Sequence, residues 1–349
     1  MRGGENTVNT PASVLRDLAV ADFGLGMPAA LVSKFLREAG AQVTRLEPPA
    51  GDPFYDVYPA YAVWQRHKDI MAPGAEDVSA TDLVTDADIC VIGGEDYPGL
   101  DWRFDAAELL AANPRLLAID IEAAPPMAGE DPLPANELLA QARSGFCFEN
   151  FSARPIAFNY PVATYSAVMN ALVGVFAALV HREHTGQGQT ISVSLVEGAI
   201  DASRSNWFTA ENPDPLFMAA VPKDSRMTIF KCADGKYVHL MMGTPGAKER
   251  FLNLLDIKPG EFTDTLNDRG MPTGMGDPSM FWGDIDAFSR PISRYTSDEF
   301  IALLMENELP CAIVEKPGNC WSMPQVAANG TLKTDDSGRQ YAGFPIKGL

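Results

Sequence analysis

Hydrophobic and polar positions are most strongly patterned between Tyr160 and Leu195, YPVATYSAVMNALVGVFAALVHREHTGQGQTISVSL. From Val162 to Val180 apolar side chains recur almost all round a helical wheel, which predicts a helix buried in protein. About 20 apolar residues also suffice to cross a bilayer. Thr164, Ser166 and Asn170, with the small residues Ala163, Ala167, Ala171, Gly174, Ala177 and Ala178, favour close helix packing over lipid. The following HTGQGQ lacks the lysine and the spacing of a phosphate loop and comes after a helix, where carbonyls repel phosphate. It reads as a glycine stop before the alternating strand TISVSL.

Upstream, LRDLAVADFG is an apolar run stopped by glycine. In PAALVSKFLREAGAQVTRLEPP, residues Ala30, Leu31, Phe35 and Leu36 share a helical face, Gly40 ends the helix, and AQVTRLE alternates as a strand. DADICVIGG and RLLAIDIEAAPP are further strands, with AAELLAANP and ELLAQARSGF as helices. Strands alternating with helices predict an α/β fold whose parallel sheet is covered on both faces. After Ala202 the pattern changes. MTIFKCADGKYVHLMM reads as a hairpin turning at Asp234-Gly235, followed by helices in GAKERFLNLLDI and RYTSDEFIALLMENELP. Thr296 or Ser297 with Glu299 supplies the N-terminal cap of the latter. NDRGMPTGMGDPSMFWGD is loop-like, and CAIVEKP is one more strand. The organisation expected is a large domain begun by residues 1–202, a small α+β domain over 203–309, and a return to the large domain over 310–349.

GLGMPA, Gly24 to Ala29, is half of a dinucleotide fingerprint. The third glycine is missing at Ala29, and Glu47, where a ribose-binding acid belongs, reads as a solvated strand end. With 46% hydrophobic and 21% charged residues in 349, the chain has the composition of a globular protein. A net charge of −19 argues against nucleic acid or an anionic membrane as partner. Five scattered cysteines (Cys90, Cys147, Cys232, Cys311, Cys320) without CxxC spacing suit reduced thiols in the cytoplasm, and the N-terminal MRGGENTVNTPASV has no apolar core of a signal peptide. Four histidines without HxxxH or HxH spacing predict no metal site.

Several segments resemble one family, the family III CoA-transferases, which include formyl-CoA and carnitine CoA-transferases and the related alpha-methylacyl-CoA racemases. FLREAGAQVTRLEPPAGDP is similar to the family's LADLGAEVIKVEPPGGDP, AANPRLLAIDI to NPRLIYASI, and AQARSG to AQAxSG. VGVFAALVHREHTGQGQTISVSLVEGAI resembles GILAALxxRxxTGxGQxVDVSLxEA. FKCADGKYVHLMMGT and LPCAIVEKP are similar to the start of the family's small domain and its return strand.

The resemblance implies a Rossmann-like large domain, a small inserted α+β domain and an interlocked dimer, either of identical chains or with a paralogous subunit. It implies acyl-CoA and carboxylate substrates, with no cofactor beyond CoA itself. In such transferases an aspartate near the start of the long helix attacks the thioester, giving a mixed anhydride and then an enzyme thioester. Here the transferase aspartate falls on Thr164 and the racemase aspartate on Ala163. The racemase histidine falls on Asn136, which cannot shuttle a proton, and Glu137 beside it is a surrogate acid or a first-turn helix residue. Glu149 is a further acid in reach of this reading. The family's VENF reads VIGG at Val91 to Gly94, Glu122 replaces a lysine, and FMAAVPKDSRM lacks the family's glycine-rich loop. Lys68, in WQRHKDI, with Arg66, His67 and Arg103, are the cations expected to hold CoA phosphates. Three readings follow: a CoA-transferase with altered acid equipment, a supporting subunit that needs an aspartate-bearing partner, and a racemase-like isomerase.

Overall fold

The computed structural model describes residues 14–71, 79–125, 133–148, 154–203, 229–241, 244–258, 261, 285–335 and 338–346. The chain divides into two compact units, Met1–Ser205 with Lys333–Leu349, and Asn206–Leu332.

In the first unit the chain runs β1 (Ala19–Asp22), α1 (Gly26–Glu38), β2 (Gln42–Leu46), α2 (Phe54–Val57), α3 (Tyr61–Trp64), β3 (Asp69–Met71), α4 (Ala80–Thr85) and β4 (Ile89–Gly93). It continues through α5 (Ala106–Ala112), β5 (Leu117–Glu122), α6 (Glu137–Arg143), α7 (Val162–Thr185), β6 (Gln189–Ser194) and α8 (Leu195–Ser203). Six parallel strands lie in the order β3-β2-β1-β4-β5-β6, the doubly wound order that turns back between β1 and β4. Alternate residues of the strands feed two cores. Val20, Val43, Ile89, Val91, Leu117 and Ile119 pack with α1 and α7, and Ala21, Cys90, Ile92 and Ala118 with α4 and α5. The parallel α/β expectation holds. Strand β3 escapes the sequence pattern because three residues show no period.

Helix α7 ends as the sequence predicts, at Gly186 with φ 74°. Its last turn is tied to the sheet by Arg182, which donates to the Asp88 carbonyl at 3.1 Å, the Arg115 carbonyl at 3.2 Å and the Asp88 carboxylate at 3.0 Å. The expectation of burial on all sides needs correction. Ala163, Ala167, Ala171, Val175 and Ala178 face the core, whereas Met169, Val173, Phe176 and Val180 are 44% to 69% exposed. A helix can read apolar all round because two different surfaces use it. Among the described residues this helix alone is long and apolar enough to cross a membrane.

The second unit holds β7 (Ile229–Lys231), β8 (Tyr237–Leu240), α9 (Ala247–Leu254), α10 (Ile285–Ile292), α11 (Ser297–Glu306), β9 (Cys311–Val314) and α12 (Pro324–Ala328). Asp234-Gly235 turns the β7–β8 hairpin with Gly235 at φ 78°. Thr296 caps α11 in a reciprocal box with Glu299. The hairpin's inner face and the three longer helices share a core around Phe230, Val238, Phe251, Phe288 and Phe300. Strand β9 corrects the expected boundary at 310. It lies antiparallel to β8, Tyr237 opposite Val314 and Leu240 opposite Cys311, so it completes this small sheet and the unit runs on to Leu332. The loop-like stretch 267–284 and the segment 217–227 lie outside the described residues.

Candidate active site

The carboxyl ends of β1 and β4 form the rim where doubly wound sheets bind ligands. Behind it, the charged side chains of Asp22, Arg45, Asp52 and Lys68 are buried. Asp22 meets Arg45 and Lys68 at 3.1 Å each, and Arg45 also reaches the Asp52 carboxylate and, at 2.9 Å, the Gly24 carbonyl. Lys68 donates to Ser33 at 2.7 Å, to the Ala30 carbonyl at 3.2 Å and to Gln65. The Tyr61 hydroxyl donates to Asp52 at 2.7 Å. Burial pushes the Asp22 carboxyl up, but Lys68 and Arg45 with the Ser33 hydroxyl outweigh it and hold it below 3.8. Burial draws the Lys68 ammonium down to about 8, because it has one anion beside it and Arg45 as a like charge.

This network shapes the rim. Asp22 accepts the Gly24 amide at 3.2 Å and Arg45 holds the Gly24 carbonyl, so the β1–α1 turn and the first amides of α1 are fixed. Asp52 accepts the Phe54 amide at 2.9 Å and anchors the α2–α3 segment that carries Tyr58. Tyr58 packs among Phe54, Tyr61 and Trp64.

On the rim sits Glu95, which the sequence reading passed over. Its amide donates to the Leu25 carbonyl at 3.0 Å. One carboxylate oxygen accepts the Met27 amide at 2.9 Å, and the Tyr58 hydroxyl lies 2.8 and 2.9 Å from the two oxygens. Burial pushes its pKa up, against these two donors and with help from the nearby Glu137 charge. The next residue ties this segment to the start of α6: Asp96 donates its amide to the Ala135 carbonyl at 2.9 Å and accepts the Ala135 amide at 2.7 Å. The carboxylate thus fills the N-terminus of α1, where such folds seat a dinucleotide's pyrophosphate. Glu47 is tied to Arg45 and Tyr55. One signal was available in the sequence: an acid following Gly-Gly at a strand's carboxyl end.

Glu137 proves to be a cap. It accepts the Ala163 amide at 3.1 Å and the Thr164 amide at 2.7 Å, and a third bond at 2.7 Å comes from Gln141. One carboxylate satisfies two of the free amides of α7's first turn, which has no cap of its own. Asn136 caps α6, accepting the Leu138 amide at 3.0 Å. Thr164 is 1% exposed and its hydroxyl has no hydrogen-bond partner. Glu149 lies outside the described residues.

The expected phosphate ligands do not converge. Lys68 is the clearest correction: its ammonium is wholly buried and committed to Asp22 and Ser33, since neutralising that buried acid requires it. Arg66 lies flat over the Tyr341 ring, 3.2 Å from its centroid. The His67 carbonyl accepts from Arg37 in the last turn of α1 at 2.7 Å, about 15 Å along the helix from Met27. Arg103 alone is at the rim, exposed and paired with Asp96 at 2.8 Å.

Strand order and rim define a Rossmann-like α/β protein in which hydrogen bonds tie the turn after β4 and the first turn of the long helix to the start of α6. The chain belongs to CoA-transferase family III, whose sequence profile matches residues 15–348. It is similar to the bile acid CoA-transferase BaiK of Clostridium scindens, 24% identical over 193 residues, 54% of this chain and 44% of BaiK. It is also similar to formyl-CoA:oxalate CoA-transferase of Escherichia coli, 24% identical over 291 residues, 73% of this chain and 65% of that one. The match thus spans less than two thirds of either relative's length. The crystal structure of Rv3272 from Mycobacterium tuberculosis superposes with a TM-score of 0.75 at 18% identity, covering 97% of this chain and 94% of that one.

Proposed function

We propose that this chain acts on an acyl-CoA thioester at the β4–α6–α7 rim and takes part in moving CoA to a carboxylate, in the cytoplasm and within a dimer. The observation that carries this reading is the Thr164 hydroxyl, buried and unpaired at the first turn of α7, the place where the family's aspartate is expected. A buried polar atom without a partner is costly, and a ligand that supplies the missing bond is one way to meet that cost. A thioester carbonyl oxygen is such an acceptor. All five cysteines are free thiols, as a reducing compartment requires. The exposed stripe Met169, Val173, Phe176 and Val180 suits a partner subunit, a second copy or a paralogue, because stripes at this spacing bury well against another helix.

A second reading, a supporting subunit, draws on the uncharged residues at 163 and 164 and on the committed bonds of Glu137. The racemase-like reading loses ground because Asn136 is a helix cap. The deciding experiment measures formation of the acceptor's CoA thioester from acetyl-, succinyl- and benzoyl-CoA in the presence of carboxylates, with the chain alone and then mixed with an aspartate-bearing paralogue, and sedimentation of each sample. Transfer by the lone chain is the expected result. Transfer only by the mixture makes the chain a supporting subunit, and no transfer by either contradicts a role in CoA transfer. A dimer is expected throughout, and Val173→Asp with Val180→Asp is expected to yield monomers of unchanged helix content.

A further inference from the structure

We propose that Glu95 is the acyl-accepting carboxylate of this site, the group that attacks the thioester in place of the aspartate that Thr164 replaces. The assignment rests on the CoA-thioester reading above and adds to it the residue that performs the chemistry.

Glu95, Asp96, Asp120 and Glu137 are carboxylates at or near the rim, and their surroundings separate them. Glu137 accepts three donors, two of them backbone amides of α7, and cannot leave without stranding a helix end. Asp96 is bound to the Ala135 amide and to Arg103. Asp120, on β5, has Arg103 and Asp105 as its charged neighbours. Glu95 holds a single helix amide, that of Met27, on one oxygen, while the other has the Tyr58 hydroxyl as sole donor; it is 4% exposed, and Tyr58 stands half-buried beside it. A carboxylate that is dry and short of donors is a better nucleophile than a solvated one. Burial and the nearby Glu137 raise its pKa, which strengthens its ionised form as a nucleophile.

The position is built into the fold. Gly94 has φ 108°, and a side chain there would strike the Leu25 backbone, so the turn after β4 admits glycine and throws Glu95 inward beneath α1. The hydrogen bonds between Asp96 and Ala135 bring the same turn against the segment leading to Glu137, whose carboxylate holds the Thr164 amide. The turn that carries Glu95 and the first turn of α7 are thus tied to the same segment, Ala135 to Glu137, and in the proposal Glu95 and the unpaired Thr164 hydroxyl border one site. In this assignment Thr164 donates to the oxygen that becomes negative.

The steps balance. A Glu95 oxygen attacks the thioester carbonyl carbon, the carbon–sulfur bond breaks and CoA departs as the thiolate, leaving an acyl-glutamyl anhydride. The thiolate attacks the glutamyl carbonyl, releasing the donor's acid as carboxylate and leaving a glutamyl thioester. The acceptor carboxylate then attacks that thioester and the same two exchanges run in reverse. No proton or electron is gained or lost.

The test incubates the full wild-type chain, alone, with acetyl-, succinyl- or benzoyl-CoA and hydroxylamine, and maps hydroxamates by peptide mass spectrometry. A hydroxamate on Glu95, with thiol release slowed on the order of 10³-fold or more in Glu95→Gln, is the expected result. The label is read on the wild-type protein, so it holds whether or not the variant folds. Thiol release with the label on another residue, or release undiminished in a folded Glu95→Gln chain, overturns the Glu95 assignment and leaves the CoA reading standing. No release by the lone chain but release with an aspartate-bearing paralogue does the same. No release in either case overturns both.

Discussion

Asp22→Ala is expected to cost about 3–5 kcal/mol, because it leaves the Arg45 guanidinium and the Lys68 ammonium buried without their shared anion. It also strips the Gly24 amide of its acceptor, so the β1–α1 turn and the Met27 amide that binds Glu95 loosen with it. Urea unfolding of the whole chain measures the loss. Asp17→Ala is the control, since the Arg16–Asp17 pair is exposed and is expected to leave stability unchanged. The effect has a defined pH sense. The folded-state pKa of Asp22 lies below 3.8, so its contribution is full above 3.8 and is lost as pH falls through the folded value. The difference between wild type and Asp22→Asn should narrow on acidification. A variant within about 1 kcal/mol of wild type would show that the buried charges do not hold the rim.

Glu137→Ala is expected to cost about 2 kcal/mol or more, because two α7 amides lose a charged acceptor at once. The same substitution separates a cap from a catalytic acid. A cap predicts that lost stability and lost activity go together, and that Glu137→Gln, which keeps one acceptor oxygen, recovers part of both. Lost activity at unchanged unfolding midpoint would return Glu137 to the catalytic role that the sequence left open.

Much of the fold was legible because its causes are local. Alternating runs became β2 and β6, short apolar runs became β1, β4 and β5, and glycine at 186 stopped α7 where a left-handed residue was needed. What stayed hidden depends on contacts distant in sequence. Lys68 reads as a phosphate ligand until Asp22, 46 positions earlier, is found against it. Glu137 reads as a first-turn acid until the α7 amides, 26 and 27 positions on, are found bound to it. Glu95 was passed over because nothing local shows that α1 and Tyr58 close over it. The family segments pointed to Thr164 as the position to examine, while its empty hydrogen-bonding capacity is visible only in three dimensions.

The most direct measurement is a crystal structure of the full chain with a non-hydrolysable thioether analogue of acyl-CoA. The account predicts the analogue's carbonyl oxygen about 3 Å from the Thr164 hydroxyl, with the Glu95 carboxylate on the same carbonyl group. An analogue bound elsewhere, with the Thr164 hydroxyl still unpaired, would contradict it.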